Sequence, residues 1–369
     1  MPLQATSGAA SYDAFGGGVA AVPKYIEEYF STFLYSGTGS AQTITNGIDL
    51  STKGGLVWIK ERTSTSGNIW TDTVRGVYNY LQSDNNNAQT DNVNTLTAFN
   101  TNGFAVGNSG ATSESGQTYA SWTFREQKKF FDIVTFTGTQ GSSGTGQVVN
   151  HNLGSVPGCI IVKPITDTSG TGYSIADWIV YHRALSSPTT QYLKLNTTSA
   201  VDGNSDKIKA VSDTTFTAGW EIGYTGIQYV AYVFAHDAGG FGLTGTDNVI
   251  SCGSYTGNGG NQDISLGYEA QWVTIKPASV TGNWATFDNL RGMPTAGVDG
   301  SARLRPNLSE AETVLGGGYG VSANATGFTI KGGVDDYNAS GQTYIYIAIR
   351  RGPMKVPTDA TKVFAPLTR

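Results

Sequence analysis

The stretch SGQTYASWTFR, residues 115–125, returns at residues 340–350 as SGQTYIYIAIR. The turn and its tyrosine are kept while the residues that follow are rewritten. A middle version, TGIQYVAYVFAH, lies between them. Aligned on Tyr119, Tyr229 and Tyr344, alternate positions read Ala120/Trp122/Phe124, Val230/Tyr232/Phe234 and Ile345/Ile347/Ile349. Alternation with period two is the pattern of a β-strand with one apolar face. The opposite face, Tyr119/Ser121/Thr123, Tyr229/Ala231/Val233 and Tyr344/Tyr346/Ala348, is smaller or amphipathic. A buried face tolerates exchanges that keep pattern and volume, whereas a turn requiring glycine does not. The phrase therefore reads as the closing strand of a duplicated unit.

Four more landmarks precede it in each copy, in the same order. An aromatic-x-Gly turn opens the unit at Tyr35, Phe136 and Tyr255. An apolar strand ending in lysine follows, reaching Lys60, Lys163 and Lys276. Next comes a tryptophan-led strand ending in arginine, from Trp70 to Arg75, Trp178 to Arg183 and Trp284 to Arg291. Asp72 and Asp288 stand ahead of two of those arginines, and Val180 is the residue aligned with them in the middle copy. The fourth landmark is an aromatic residue beside glycine, at Phe104, Trp220 and Phe328. Five collinear landmarks in three copies predict tandem domains over 34–130, 131–250 and 251–352.

Within each copy, short β-like runs are separated by turn signals at roughly 8 to 12 residues. The expected fold class is all-β: three antiparallel β-sandwiches of jelly-roll or lectin-like type. Composition agrees, with 49 glycines among 369 residues and charged residues at 14%, against roughly 25% in an ordinary globular protein. One helix is expected, in PKYIEEYF from Pro23. Tyr25, Ile26, Tyr29, Phe30 and Phe33 fall on one side at helical spacing. Segment 1–33 then reads as an arm and short helix that anchor the protein, and 353–369, with three prolines, as an extended C-terminal arm.

Net charge is −5, and no basic run offers a footprint for nucleic acid or anionic lipid. No apolar run approaches the ~18 residues of a membrane span. Cys159 and Cys252 read as two buried thiols. His151, His182 and His236 lack metal-ligand spacing, and no acid pair recurs across the copies as glycoside hydrolysis would favour. The expectation is a protein without catalytic residues, cofactor or metal. Among aromatics outside the repeated framework, Tyr78, Tyr80, Tyr192 and Tyr319 are candidates for stacking on glycans.

YIEEYFSTFLYSGTGSAQTITNGIDL, GGLVWIKERT, HNLGSVPGCIIVK, YVAYVFAHDAGGFG, ISCGSYTGNG and YIYIAIRRGPMK resemble the repeated domain of virion structural proteins from marine tailed bacteriophages of the cyanophage kind. The resemblance implies a particle component of tail-fibre or tail-associated type, assembled in the host cytoplasm. Its expected partners are further copies of itself, other virion proteins and possible host-surface glycans. A capsid decoration or head-fibre subunit and a glycan-binding receptor module are the alternatives.

Overall fold

Every residue of the strand Gly55–Glu61 is buried in a computed structural model that describes residues 22–141, 144–294, 301–316 and 318–354. A strand covered on both faces reads as a continuous apolar run, and its surroundings show what does the covering. The first repeat comprises β1 (Phe30–Ser36), β2 (Gln42–Thr45), β3 (Gly55–Glu61), β4 (Asn68–Asp72), β5 (Asn79–Gln82), β6 (Thr90–Asp91), β7 (Leu96–Asn100), β8 (Gly103–Val106) and β9 (Thr118–Arg125). These form a six-stranded sheet of order β1-β9-β3-β4-β5-β6 and a three-stranded sheet of order β2-β8-β7.

The second repeat returns this order strand for strand, from Phe131–Thr137 to Gln228–Phe234. The third runs from Ile250–Thr256 to Thr343–Arg350. There the large sheet keeps four strands, and a ribbon of Ala302–Arg303 with Thr313–Val314 continues it through a bridge between Thr286 and Leu304. The chain is all-β, and its named strands pair antiparallel, first with last in each repeat. Entry and exit of a repeat therefore lie side by side, which lets copies follow one another without threading.

That pairing explains two of the landmarks. Tyr35 faces Tyr119, Phe136 faces Tyr229 and Tyr255 faces Tyr344. The rings stack at 5.1, 5.2 and 5.2 Å, with interplanar angles of 15°, 16° and 13°. Two residues on, a glycine is required by close approach. A Cβ on Gly37, Gly138 or Gly257 would lie 2.1–2.3 Å from the carbonyl oxygen of Glu114, Tyr224 or Ala339.

Alternate residues of β3 go to different cores. Val57 and Ile59 meet Phe104 and Tyr119 between the two sheets of the first repeat, and Val273, Ile275, Phe328 and Tyr344 do the same in the third. Leu56 and Trp58 point the other way, into the largest apolar cluster, which draws on all three repeats. It gathers Trp122 and Phe124 from the first, Trp178, Tyr232 and Phe234 from the second, and Trp272, Trp284, Ile345, Ile347 and Ile349 from the third. The strongly apolar face of each closing strand is thus the face turned toward the other repeats.

The expected N-terminal helix is a single 3-10 turn, Ile26–Glu28, and the chain enters β1 at Phe30. Strand geometry overrides the helical spacing and sends Phe30 and Phe33 to opposite faces. The first repeat accordingly begins inside the segment read as an arm. Residues 1–21 and 355–369 lie outside the described residues.

Candidate functional site

Lys60, Lys163 and Lys276, near the end of the third strand of each repeat, are wholly buried. Each Nζ donates to the carbonyl of its own next residue, Glu61, Pro164 or Pro277, at 2.9, 3.1 and 2.8 Å. Each also reaches into another repeat: Lys60 to the Ser309 carbonyl (3.1 Å), Lys163 to Asn86 (3.2 Å) and Lys276 to Thr198 (3.3 Å). Ser66 and Ala176 supply a third acceptor to the first two, at 2.8 and 2.9 Å. Burial pulls the three ammonium groups down to about 8, 7 and 7. At Lys60 and Lys163 a set of three carbonyl acceptors opposes this, because the charged form alone has three protons to donate.

The acceptor loops answer with a backbone bond in the reverse direction. The amides of Gln89, Val201 and Glu312 donate to the carbonyls of Ile165, Ala278 and Arg62 at 2.9, 2.8 and 2.7 Å. The second repeat is joined to the first, the third to the second, and the first to the third. Head-to-tail joints that return to their start make a closed ring, here within one chain.

Strand register corrects the sequence alignment at these seams. Lys60 pairs with Asn68, whereas the pairs Val162–Ile179 and Ile275–Ala285 put Trp178 and Trp284 opposite Lys163 and Lys276. Asn68, not Trp70, therefore stands where the other copies have tryptophan. The Trp178 indole donates to Gln82 and Asn85 carbonyls at 3.0 and 3.1 Å, and the Trp284 indole to Lys194 at 2.9 Å. The Asn68 carboxamide makes the matching pair of bonds, to Arg305 and Leu308 at 3.2 and 2.9 Å.

The same register aligns Asp72, His182 and Asp288, facing Leu56, Cys159 and Trp272, so His182 replaces Val180 as the counterpart of the aspartates. Asp72 accepts from Arg75 Nε (2.6 Å) and from the Tyr232 hydroxyl of the second repeat (2.8 Å). Asp288 accepts from Arg291 Nε (2.6 Å) and from the Trp122 indole of the first (2.9 Å). Burial lowers His182 to about 3. Its neutral ring donates from Nε2 to the Tyr346 carbonyl of the third repeat (3.1 Å), and Nδ1 accepts the Ala184 amide (3.3 Å). Arg183 is exposed, and buried Leu185 occupies the place of Arg75 and Arg291.

The stretch 26–353 matches the family model described as Domain of unknown function (DUF7483). The chain belongs to the DUF7483 family. No curated protein and no solved structure matches it. The match takes in all three repeats of this DUF7483 chain and ends where the ring ends meet. There the Met354 amide donates to the Glu27 carboxylate (3.0 Å), and the Ile26 amide approaches the Met354 sulfur (3.4 Å).

Three of the five candidate anchor residues face inward. Ile26, Tyr29 and Phe30 are buried, with Tyr29 edge-on to Phe241 and Phe30 against Phe124 and Trp272. Tyr25 and Phe33 are half-buried. The four glycan-candidate tyrosines are not brought together. Tyr78 and Tyr80 are half-buried in the first repeat. Tyr192 is 6% exposed, donates its hydroxyl to Asp202 (2.8 Å) and lies under Lys207, so its ring offers no free face. Tyr319, in the third repeat, is 45% exposed. The framework residues Tyr119 and Tyr344 hold their own turns, donating to the Gly110 and Asp335 carbonyls at 2.7 and 3.0 Å. Tyr229 accepts the Tyr224 amide at 3.1 Å.

Sequence reasoning passed over the seam loops. DNNNAQTDNVN, residues 84–94, reads only as a polar loop, yet its carbonyls receive Trp178 and Lys163. The one available signal was the fully apolar third strand ending in lysine, a charge with no place to go except a built acceptor site.

Proposed function

We propose that this DUF7483 chain is an architectural component of a tailed-bacteriophage particle, a tail fibre or tail-attached appendage that carries out no reaction of its own. The observation behind the reading is how the recurring polar chemistry is used. The lysine of each copy, and the tryptophan or asparagine opposite it, hold a neighbouring repeat. The resemblance to marine phage virion proteins supplies the particle. Because the mutual faces of the repeats are engaged within one chain, contacts with further copies and other virion proteins fall to the outer surface and the terminal segments. Immunogold labelling of purified particles tests the proposal. Label along the tail or its appendages supports it, label on the head transfers the protein to capsid decoration, and unlabelled particles overturn the virion reading. Size-exclusion with light scattering tests self-association, for which a strict monomer at high concentration is the contrary result.

A further inference from the structure

The connection between the third and fourth strands differs among the repeats. It spans residues 62–67 in the first and 278–284 in the third, but 165–178 in the second. The longer excursion leans over the first repeat and, with the acceptor loop around Asn86, encloses a cleft of about 480 Å³. That volume lies within the roughly 300–1,000 Å³ of small-ligand sites. Its walls carry Asn86, Asn87, Thr166, Asp167 and Ser169, with Lys163 at the seam and Ala88, Pro164 and Ala176 as the apolar part.

The chemistry of these walls narrows the ligand. The Lys163 ammonium donates to three carbonyls, so it has no proton left for an anion. The amide and hydroxyl of Ser169 hold the Asp167 carboxyl below its ordinary range, and that fixed negative charge repels anions. Amides and hydroxyls offer both donors and acceptors, which suits a ligand that is neutral and dense in hydroxyl groups. The same excursion carries Tyr173, 43% exposed, onto Trp220 (5.0 Å) and Tyr224 (5.6 Å). Trp220 lies outside the repeated framework. Paired with Val149 as Phe104 is with Ile44 and Phe328 with Ile264, Phe216 is the true counterpart of those residues. The duplicated architecture therefore does not account for this aromatic cluster.

We propose that the cleft between residues 86–88 of the first repeat and the 165–178 excursion of the second binds a neutral saccharide. The proposal stands apart from the architectural reading, since a ring without a ligand is still a ring. The full chain would be applied to immobilised neutral mono- to tetrasaccharides, with sialylated and sulphated glycans as the charged comparison. Retention on a subset of the neutral glycans is expected. Ala88→Trp, which fills the cleft, lowers it at least tenfold, and Asn87→Ala lowers it several-fold. Val314→Ala, an exposed residue of another repeat, leaves it unchanged. Melting temperatures of the variants establish that the fold is kept, and exposed Asn87→Ala decides the matter if Ala88→Trp fails to fold. No retention, retention of charged glycans alone, or retention indifferent to the cleft variants overturns the proposal.

Discussion

At two seams an aspartate takes an aromatic donor from the adjoining repeat and is held by an arginine close behind it; at the third, the same position is a neutral histidine. Asp72 and Asp288 sit in the first and third repeats, with Tyr232 and Trp122 as their donors. His182 reverses the polarity and donates to the Tyr346 carbonyl. The position demands a satisfied polar pair across the seam; a charge is one way to provide it. The cost of failure differs between the two solutions. A buried charge that loses its partner is far more expensive than a neutral group that loses one hydrogen bond.

The largest effect is expected from Asp72→Ala. It takes from the buried Arg75 guanidinium its carboxylate partner and leaves the Tyr232 hydroxyl without its acceptor. A loss of about 3–5 kcal/mol should appear in denaturant unfolding, with Asp288→Ala behind it, because Arg291 keeps the Glu312 carboxylate at 3.2 Å. His182→Ala breaks the comparison at its other end. It removes the donor to the Tyr346 carbonyl and the acceptor of the Ala184 amide, at about 1–3 kcal/mol, and a cost equal to that of Asp72→Ala would erase the distinction.

His182 also sets a pH signature. Its folded pKa of about 3 lies below the ordinary 6.5, so the unfolded chain takes up the proton first as the medium is acidified. Stability from this group is present above pH 6.5 and is lost as pH falls toward 3. His182→Gln should flatten the acid limb of a stability–pH curve without abolishing it, because burial lowers His151 and His236 as well. A change of about 1–3 kcal/mol is expected of Trp178→Phe, which keeps an aromatic ring but removes part of a fully buried side chain and the donor to Gln82 and Asn85. Smallest of all is Arg183→Ala, expected within about 0.5 kcal/mol of wild type, because this exposed arginine has no framework role.

The closing strands made the β-class and the threefold duplication readable in the sequence. What covers each face was not readable, because period two reports that a side is buried and not against what. Ala120, Trp122 and Phe124 look the same whether they line a sandwich interior or a seam. The misaligned landmarks share a cause. Trp70 for Asn68, Val180 for His182, Arg183 for Leu185 and Trp220 for Phe216 are all displaced by an even number of residues. An even shift keeps every side chain on its face, so the hydrophobic pattern cannot detect it. The seam loops were illegible for another reason: their acceptors are backbone carbonyls, which no residue type announces. The saccharide cleft likewise depends on two loops whose proximity is a property of the ring.

Scanning calorimetry of the full chain tests the ring most directly. With Trp122, Trp178 and Trp272 in one shared apolar cluster, the three repeats should melt together in a single transition whose calorimetric and van't Hoff enthalpies agree. Two or three separable transitions, each surviving the loss of the others, would contradict a common core and return the molecule to independent modules on a string.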